Sequence, residues 1–450
     1  MAEPDWSRAW TWVEATMGGP VVRAERQARW RPAWFLEVEG PEGAAVPLYW
    51  RGDRGLGDRD GSALRQEAAV LGVLEGEGIP VPHVHGLCEE PLGILMDRVP
   101  GEVDFHRAEP AVREAVAEDF LRVVARCQAI EPGRFRSVGL EEPAGRREQA
   151  LGTLRRWEGV YRASAATPSP LLELALGWLR DRAPEGPGEN VLVHGDTGPG
   201  QFLFDGEGVT AVLDWEFCHL GDPMEDLGLI RSRDLSYPFG DLRSRFARYS
   251  ELSGTAVDLP RLRYYSVLAM IMTPAGLHPV LTGQPRGTDF AQVLAWNAVY
   301  SRALVQCLAE AEGIGLGPVE LPGAEPSPRA WIHRAVVEGL GREIGPAQTE
   351  GFLAYRVETL RLLAAHLELA DRLGPAFDEA ELDAAGEVLG RRPASRAETD
   401  GMLTDLIRAG VGGRLEEVVR FLQGRTVRDE ALLAPLLGEL GETSGLSAVE

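Results

Sequence analysis

Between residues 191 and 213 a strand-rich segment interrupts a chain patterned almost everywhere after residue 101 for helices, and this confines the fold to an α+β arrangement with a hairpin set among helices. Apolar Val191-Leu192-Val193 leads into His194-Gly195-Asp196, then a Gly/Pro loop, then Gln201-Phe202-Leu203-Phe204. A turn at 205–208 returns the chain through Val209 to Leu213, ending at Asp214. Closing the hairpin at that turn pairs Phe204 with Val209, and hence Gln201 with Val212. Its open end then gathers Asp196, Gln201 and Asp214. Two carboxylates and an amide oxygen are hard ligands suited to magnesium, with one carboxylate left to accept a proton from a hydroxyl.

The first hundred residues read differently. Short β-rich runs at 21–25, 34–38 and 46–50 are separated by turn signals, which predicts a small antiparallel sheet. Ser62 opens a helical stretch to about residue 75, and further strands are expected near 84–87 and 93–96 after the break Gly78-Ile79-Pro80-Val81-Pro82. On that helix Leu64, Leu71 and Leu74 form an apolar stripe, and Glu67 lies on the same face. A carboxylate facing a core must find a cation, and Arg51 at the end of a strand is the natural partner. The connection between the first two strands holds Arg29 and Arg31. It is either a phosphate cradle built on backbone amides with one of these arginines or an ordinary polar hairpin.

Helical periodicity covers 109–130, 146–165, 171–182 and 224–311. A Gly/Pro-rich linker over 313–328 precedes a helical bundle over about 331–440. The expected organisation is a lobe at 1–100, a second lobe at 101–317 and a helical domain at 326–450.

Composition excludes several chemistries. All 46 basic residues are arginine, so a P-loop lysine, a Schiff-base lysine and a lysine general base are impossible. A formal charge of -23 makes nucleic acid an unfavourable partner. The four cysteines are scattered without a CxxC pair, which argues against a zinc site or a disulfide framework. The densest apolar run, 266–272, is too short to cross a bilayer, and the first residues lack the pattern of a signal peptide; a cytoplasmic protein without membrane association is expected.

The segment 191–226 resembles the catalytic loop of aminoglycoside phosphotransferases and of choline and homoserine kinases, and more distantly the catalytic elements of protein kinases. The resemblance implies a two-lobed protein-kinase-like fold, a small β-sheet lobe and a larger helical lobe, with an additional C-terminal all-α domain. It implies that Asp196 accepts the proton of a substrate hydroxyl, that Gln201 occupies the second metal position, and that Asp214 holds magnesium against the phosphates of ATP or another nucleoside triphosphate. Arg51 and Glu67 resemble the strand-lysine and helix-glutamate pair that positions the α and β phosphates, with arginine replacing lysine. Met96 falls where the hinge strand meets the adenine. The family's usual residue at position 201 is asparagine, so glutamine there puts the second metal site in question. The implied reaction is transfer of the γ-phosphoryl group to a small-molecule hydroxyl, on a hydroxylated metabolite or a hydroxyacyl thioester. An aminoglycoside-modifying kinase and a catalytically weak nucleotide-binding pseudokinase are the alternatives.

Overall fold

The computed structural model describes residues 5–27, 31–53, 62–164, 167–283, 289–441 and 445–449. The chain divides into two compact units, Met1–Gln149 with Gly186–Asp258 and Ala448–Glu450, and Ala150–Glu185 with Leu259–Ser447. The breaks expected near residues 100 and 317 follow changes of pattern along the sequence. Compactness groups helices by contact instead, and so places 150–185 and 259–317 with the C-terminal helices.

The first unit opens with α1 (Trp6–Met17), a helix absent from the strand-dominated sequence reading. Asp5 caps it by accepting the Ser7 N–H at 3.1 Å, and Gly18 ends it in the left-handed conformation at φ 74°. Tryptophan rings hold α1 to the sheet: Trp6 lies 4.1 Å from Trp34 and Trp10 lies 5.8 Å from Trp50, centroid to centroid. The sheet itself comprises β1 (Val21–Arg26), β2 (Ala33–Glu39), β3 (Ala45–Gly52), β4 (Val84–Glu89) and β5 (Leu92–Asp97), all antiparallel in the order β1-β2-β3-β5-β4. Between β3 and β4 the helix α2 (Ser62–Gly76) buries Leu64, Leu71 and Leu74, and with them Glu67.

Next come α3 (Pro110–Gln128), α4 (Pro132–Arg136), α5 (Arg146–Ala163) and α6 (Pro170–Asp181). The embedded strands follow as β6 (Val191–Val193), β7 (Phe202–Phe204), β8 (Val209–Val212) and β9 (His219–Gly221), ahead of α7 (Pro223–Asp234) and α8 (Leu242–Ser253). The hairpin β7–β8 is fastened on two sides. The Asp119 carboxylate of α3 accepts the Val209 N–H at 2.9 Å, and Glu102 exchanges backbone hydrogen bonds with Phe204. Phe204 does face Val209, but an irregularity between Leu203 and Phe204 sets Phe202 opposite Val212. Gln201 therefore meets Leu213, whose N–H it accepts at 2.8 Å, and not Val212 as the uninterrupted register predicts.

The second unit is helical, formed by most of α5, by α6, and by α9 (Leu259–Thr282), α10 (Phe290–Ala311), α11 (Ala330–Glu338), α12 (Gly351–Leu389), α13 (Arg396–Arg408), α14 (Leu415–Leu432) and α15 (Ala434–Leu437). No regular element lies between Ala311 and Ala330, where the linker is expected. Gly374-Pro375 does not break α12 as a Gly/Pro pair predicts; the helix runs through, anchored beyond it by buried Phe377, Leu382 and Ala385. Between α6 and its neighbours the buried Glu173 accepts from Tyr161 at 2.9 Å and from Arg408 at 2.9 Å, and also pairs with Arg162.

Candidate active site

Arg51, at the end of β3, organises one half of the site. Its Nε donates to Glu67 of α2 at 2.9 Å, and another guanidinium nitrogen donates to Asp214. Glu67 accepts in addition the Trp215 N–H at 3.1 Å, so the helix carboxylate grips the backbone immediately after Asp214. Neighbouring Gln66 donates to the Cys218 carbonyl at 2.8 Å and pins the same turn. Burial raises the Glu67 carboxyl above its ordinary range, and Arg51 opposes that rise. The sequence expectation of an Arg51–Glu67 pair is met.

Asp214 adopts a left-handed backbone at φ 67°, the only residue other than glycine to do so among the described residues. Such a conformation is disfavoured for a residue with a Cβ and persists only where surrounding contacts impose it, here those of Arg51, Glu67 and Gln66. Two residues on, Glu216 is buried and accepts from Arg31 at 2.6 Å, while Arg51 stands 3.7 Å away. Arg31, in the connection read either as a phosphate cradle or as an ordinary polar hairpin, is fully buried on this carboxylate. Arg29 lies outside the described residues. Met96 is buried in β5, opposite Tyr49 and Val84.

The second half of the site hangs on the loop before β7. Gly195 has φ 86°, and a Cβ there would come within 2.4 Å of the Phe217 carbonyl, so only glycine lets the loop lie against the turn after Asp214. His194 accepts the Asp196 N–H on Nδ1 at 3.1 Å and places Nε2 2.8 Å from the Leu213 carbonyl. That pattern fits a neutral imidazole with its proton on Nε2, and burial depresses the His194 pKa in agreement. His194 thus braces the loop. Its own N–H donates to Asp226 of α7 at 3.1 Å, and Asp226 also accepts from Gln128 at 2.8 Å and from Thr197.

Asp196 accepts from the Gln201 side-chain amide and lies 3.7 Å from Arg233 of α7. A Cβ at Gly200 would fall 2.5 Å from the Arg233 guanidinium, so glycine keeps that approach open. Burial pushes the Asp196 carboxyl up to about 6; Arg233 pulls against this and the charge of Asp214 adds to it. Asp196, Gln201 and Asp214 are therefore brought together as the hairpin predicts. Glu216 and Arg233 escaped the sequence reading. Of these only Glu216 carried a local signal, its place two residues after Asp214.

Among the described residues no group of three or more His, Cys, Asp or Glu side chains could hold a metal alone. The donors that are present suit magnesium shared with phosphates, because that ion commonly takes one or two protein carboxylates and completes its shell with phosphate oxygens and water. The charge balance agrees: Arg31 and Arg51 face the three carboxylates of Glu67, Asp214 and Glu216, leaving an excess of negative charge.

Residues 56–265, which hold α2, the hairpin and both halves of the site except Arg31 and Arg51, match the phosphotransferase enzyme family. Over those residues the chain is similar to that family. A Ralstonia eutropha structure assigned as an aminoglycoside phosphotransferase superposes with a TM-score of 0.52 at 22% identity, covering 69% of this chain and 98% of its own. The chain thus has a kinase-like fold, with a small antiparallel sheet lobe and a mostly helical remainder. Among curated proteins, acyl-CoA dehydrogenase family member 10 of Mus musculus is 30% identical over 176 residues, covering 37% of this chain. Member 11 of Rattus norvegicus is 27% identical over 229 residues, covering 46%. The matched part spans only 16% and 27% of those two relatives.

Proposed function

We propose that this chain is an ATP-dependent kinase that moves the γ-phosphoryl group to the hydroxyl of a small molecule. The observation that carries the reading is Arg51 bound at once to Glu67 and Asp214, while Asp196 stands on the adjoining loop with a carboxyl raised to about 6. Asp196 accepts the proton of the attacking hydroxyl. It is ionised at neutral pH yet basic enough to take a proton. Arg51, fixed by Glu67, orients the phosphates of the nucleotide, and Met96 on β5 is the contact proposed for its base. Asp214 and the Gln201 side-chain oxygen would hold magnesium, which supplies neutralisation of charge on the phosphates. Catalysis rests on positioning and electrostatic stabilisation and needs no covalent intermediate with the protein.

For the acceptor we favour a hydroxylated metabolite, and within that class a hydroxyacyl thioester. The support is the naming of the curated relatives as acyl-CoA dehydrogenase family members. Aminoglycosides are the competing class, supported by the assignment of the Ralstonia eutropha structure. No helix among the described residues is long and apolar enough to cross a membrane.

The test is a transfer screen with γ-labelled ATP and magnesium across hydroxyacyl thioesters, small alcohols and aminoglycosides. Label on a thioester or a small alcohol supports the proposal, and label on aminoglycosides alone replaces the acceptor. Nucleotide binding without transfer to any class would move the chain to the pseudokinase reading.

A further inference from the structure

Along the first half of α12, Leu353, Leu360 and Leu367 recur every seven residues and are 50%, 51% and 58% exposed. A seven-residue step returns a side chain to within about 20° of its predecessor, so the three form one straight apolar ridge. The same helix behaves differently further on, where Phe377, Leu382, Ala385 and Val388 are buried; before Gly374 its buried set contains only Thr359. Beside the ridge lies α11, which buries no residue and leaves Trp331 71% exposed, with Ile332 and Val336 also open. The two elements adjoin. Asp371, one helical turn beyond Leu367 on the same side, accepts from Arg329 at 3.3 Å, and a Cβ at Gly341 would meet Arg361 at 2.9 Å. The segment 329–341 therefore runs antiparallel to α12 along the ridge.

Taking ordinary full residue areas, these six side chains leave roughly 700 Å² open, above the largest apolar patch of most monomers and close to the ~800 Å² per partner of a stable complex. Charge points to the occupant. The chain as a whole carries -23, so two copies repel over most of their surface. Residues 330–372 hold five arginines against six carboxylates and are nearly neutral, which makes this the face where two acidic copies can meet. A heptad ridge is also the pattern by which like helices pack on each other at a shallow angle.

We propose that α11 and the first half of α12 form the interface of a two-fold dimer of this chain. The three leucines of each copy interdigitate and Trp331 anchors the edge. Sedimentation equilibrium of the full chain, up to about 50 μM, reads the association directly. The wild type should sediment as a dimer. The triple variant L353Q/L360Q/L367Q and, separately, Trp331→Ala should weaken association, the triple by about a hundredfold or more, with unchanged far-ultraviolet circular dichroism. Wild-type monomer at the highest concentration overturns the proposal, and so does a folded triple variant that stays dimeric. A different protein found stoichiometrically on this face after purification, with the chain itself monomeric, overturns the choice of occupant.

Discussion

Arg31 and Glu216, 185 residues apart in the chain, form an ion pair of 2.6 Å in which Arg31 is 0% exposed. The pair ties the start of β2 to the turn that carries Asp214. Removing one partner of a buried pair strands the other charge, at a cost of about 3–5 kcal/mol, whereas replacing both by apolar groups of similar size leaves no stranded charge. Arg31→Met and Glu216→Met should each lower stability by that order in urea unfolding, and the double variant should be more stable than either single. Additive losses would show that the pair is not energetically coupled.

The Arg51–Glu67 contact makes a matching prediction for function. Each alanine substitution should raise the ATP concentration needed for half-maximal rate. The double variant should be impaired much less than the two effects combined, because Glu67 acts chiefly by fixing Arg51. Strictly multiplicative effects would mean that each side chain works alone.

Asp196→Asn keeps the shape but removes the proton acceptor. Transfer should fall by a factor on the order of 10²–10⁴ while magnesium-ATP binding by calorimetry stays near normal. The wild-type rate should fall as pH drops through about 6, where the raised carboxyl takes up a proton. The sign for stability is opposite. A carboxyl whose folded pKa is raised from 3.8 to about 6 binds its proton more tightly folded than unfolded, so its contribution is lost as pH rises across that window. The asparagine variant should therefore gain in melting temperature relative to wild type above pH 6. Full activity in Asp196→Asn would remove it as the base.

Glu173 tests the helical unit. Burial would raise its pKa, but hydrogen bonds from Arg162, Arg408 and Tyr161 outweigh that and bring it down from 4.5 to about 2. The depressed carboxyl contributes stability that is complete above the unfolded value and lost as pH falls from about 4.5 toward 2. Glu173→Gln should destabilise by on the order of 2 kcal/mol at pH 7, allowing for the solvent exposure of Arg408, with the difference from wild type closing in acid. A pH-independent difference would assign the loss to packing.

The readable parts of this chain were those decided within a few residues. Alternation and turn residues marked the sheet strands, helical spacing put Glu67 among leucines, and the short loop from His194 to Asp214 left its carboxylates few ways to diverge. Even there the register slipped by one residue at Gln201, at an irregularity between Leu203 and Phe204 in a hairpin that Glu102 and Asp119 hold from outside. The helix α1 carried a cap, Asp5, and a stop, Gly18, yet its tryptophans gain their meaning only against Trp34 and Trp50.

By itself the sequence determined the local chemistry: arginine with no lysine, acidic residues and Gln201 at the mouth of a hairpin, and a sheet followed by helices. Apart from Arg51 and Glu67, tertiary structure decided which arginine meets which carboxylate. Arg31 went to Glu216 and not to an open loop, Arg233 came to Asp196 from α7, and 150–185 joined helices more than seventy residues further on. The reason is physical. Spacing along a chain fixes which residues share a face, but a buried charge is settled by whichever partner the rest of the packed chain brings within reach, and no local pattern records that choice.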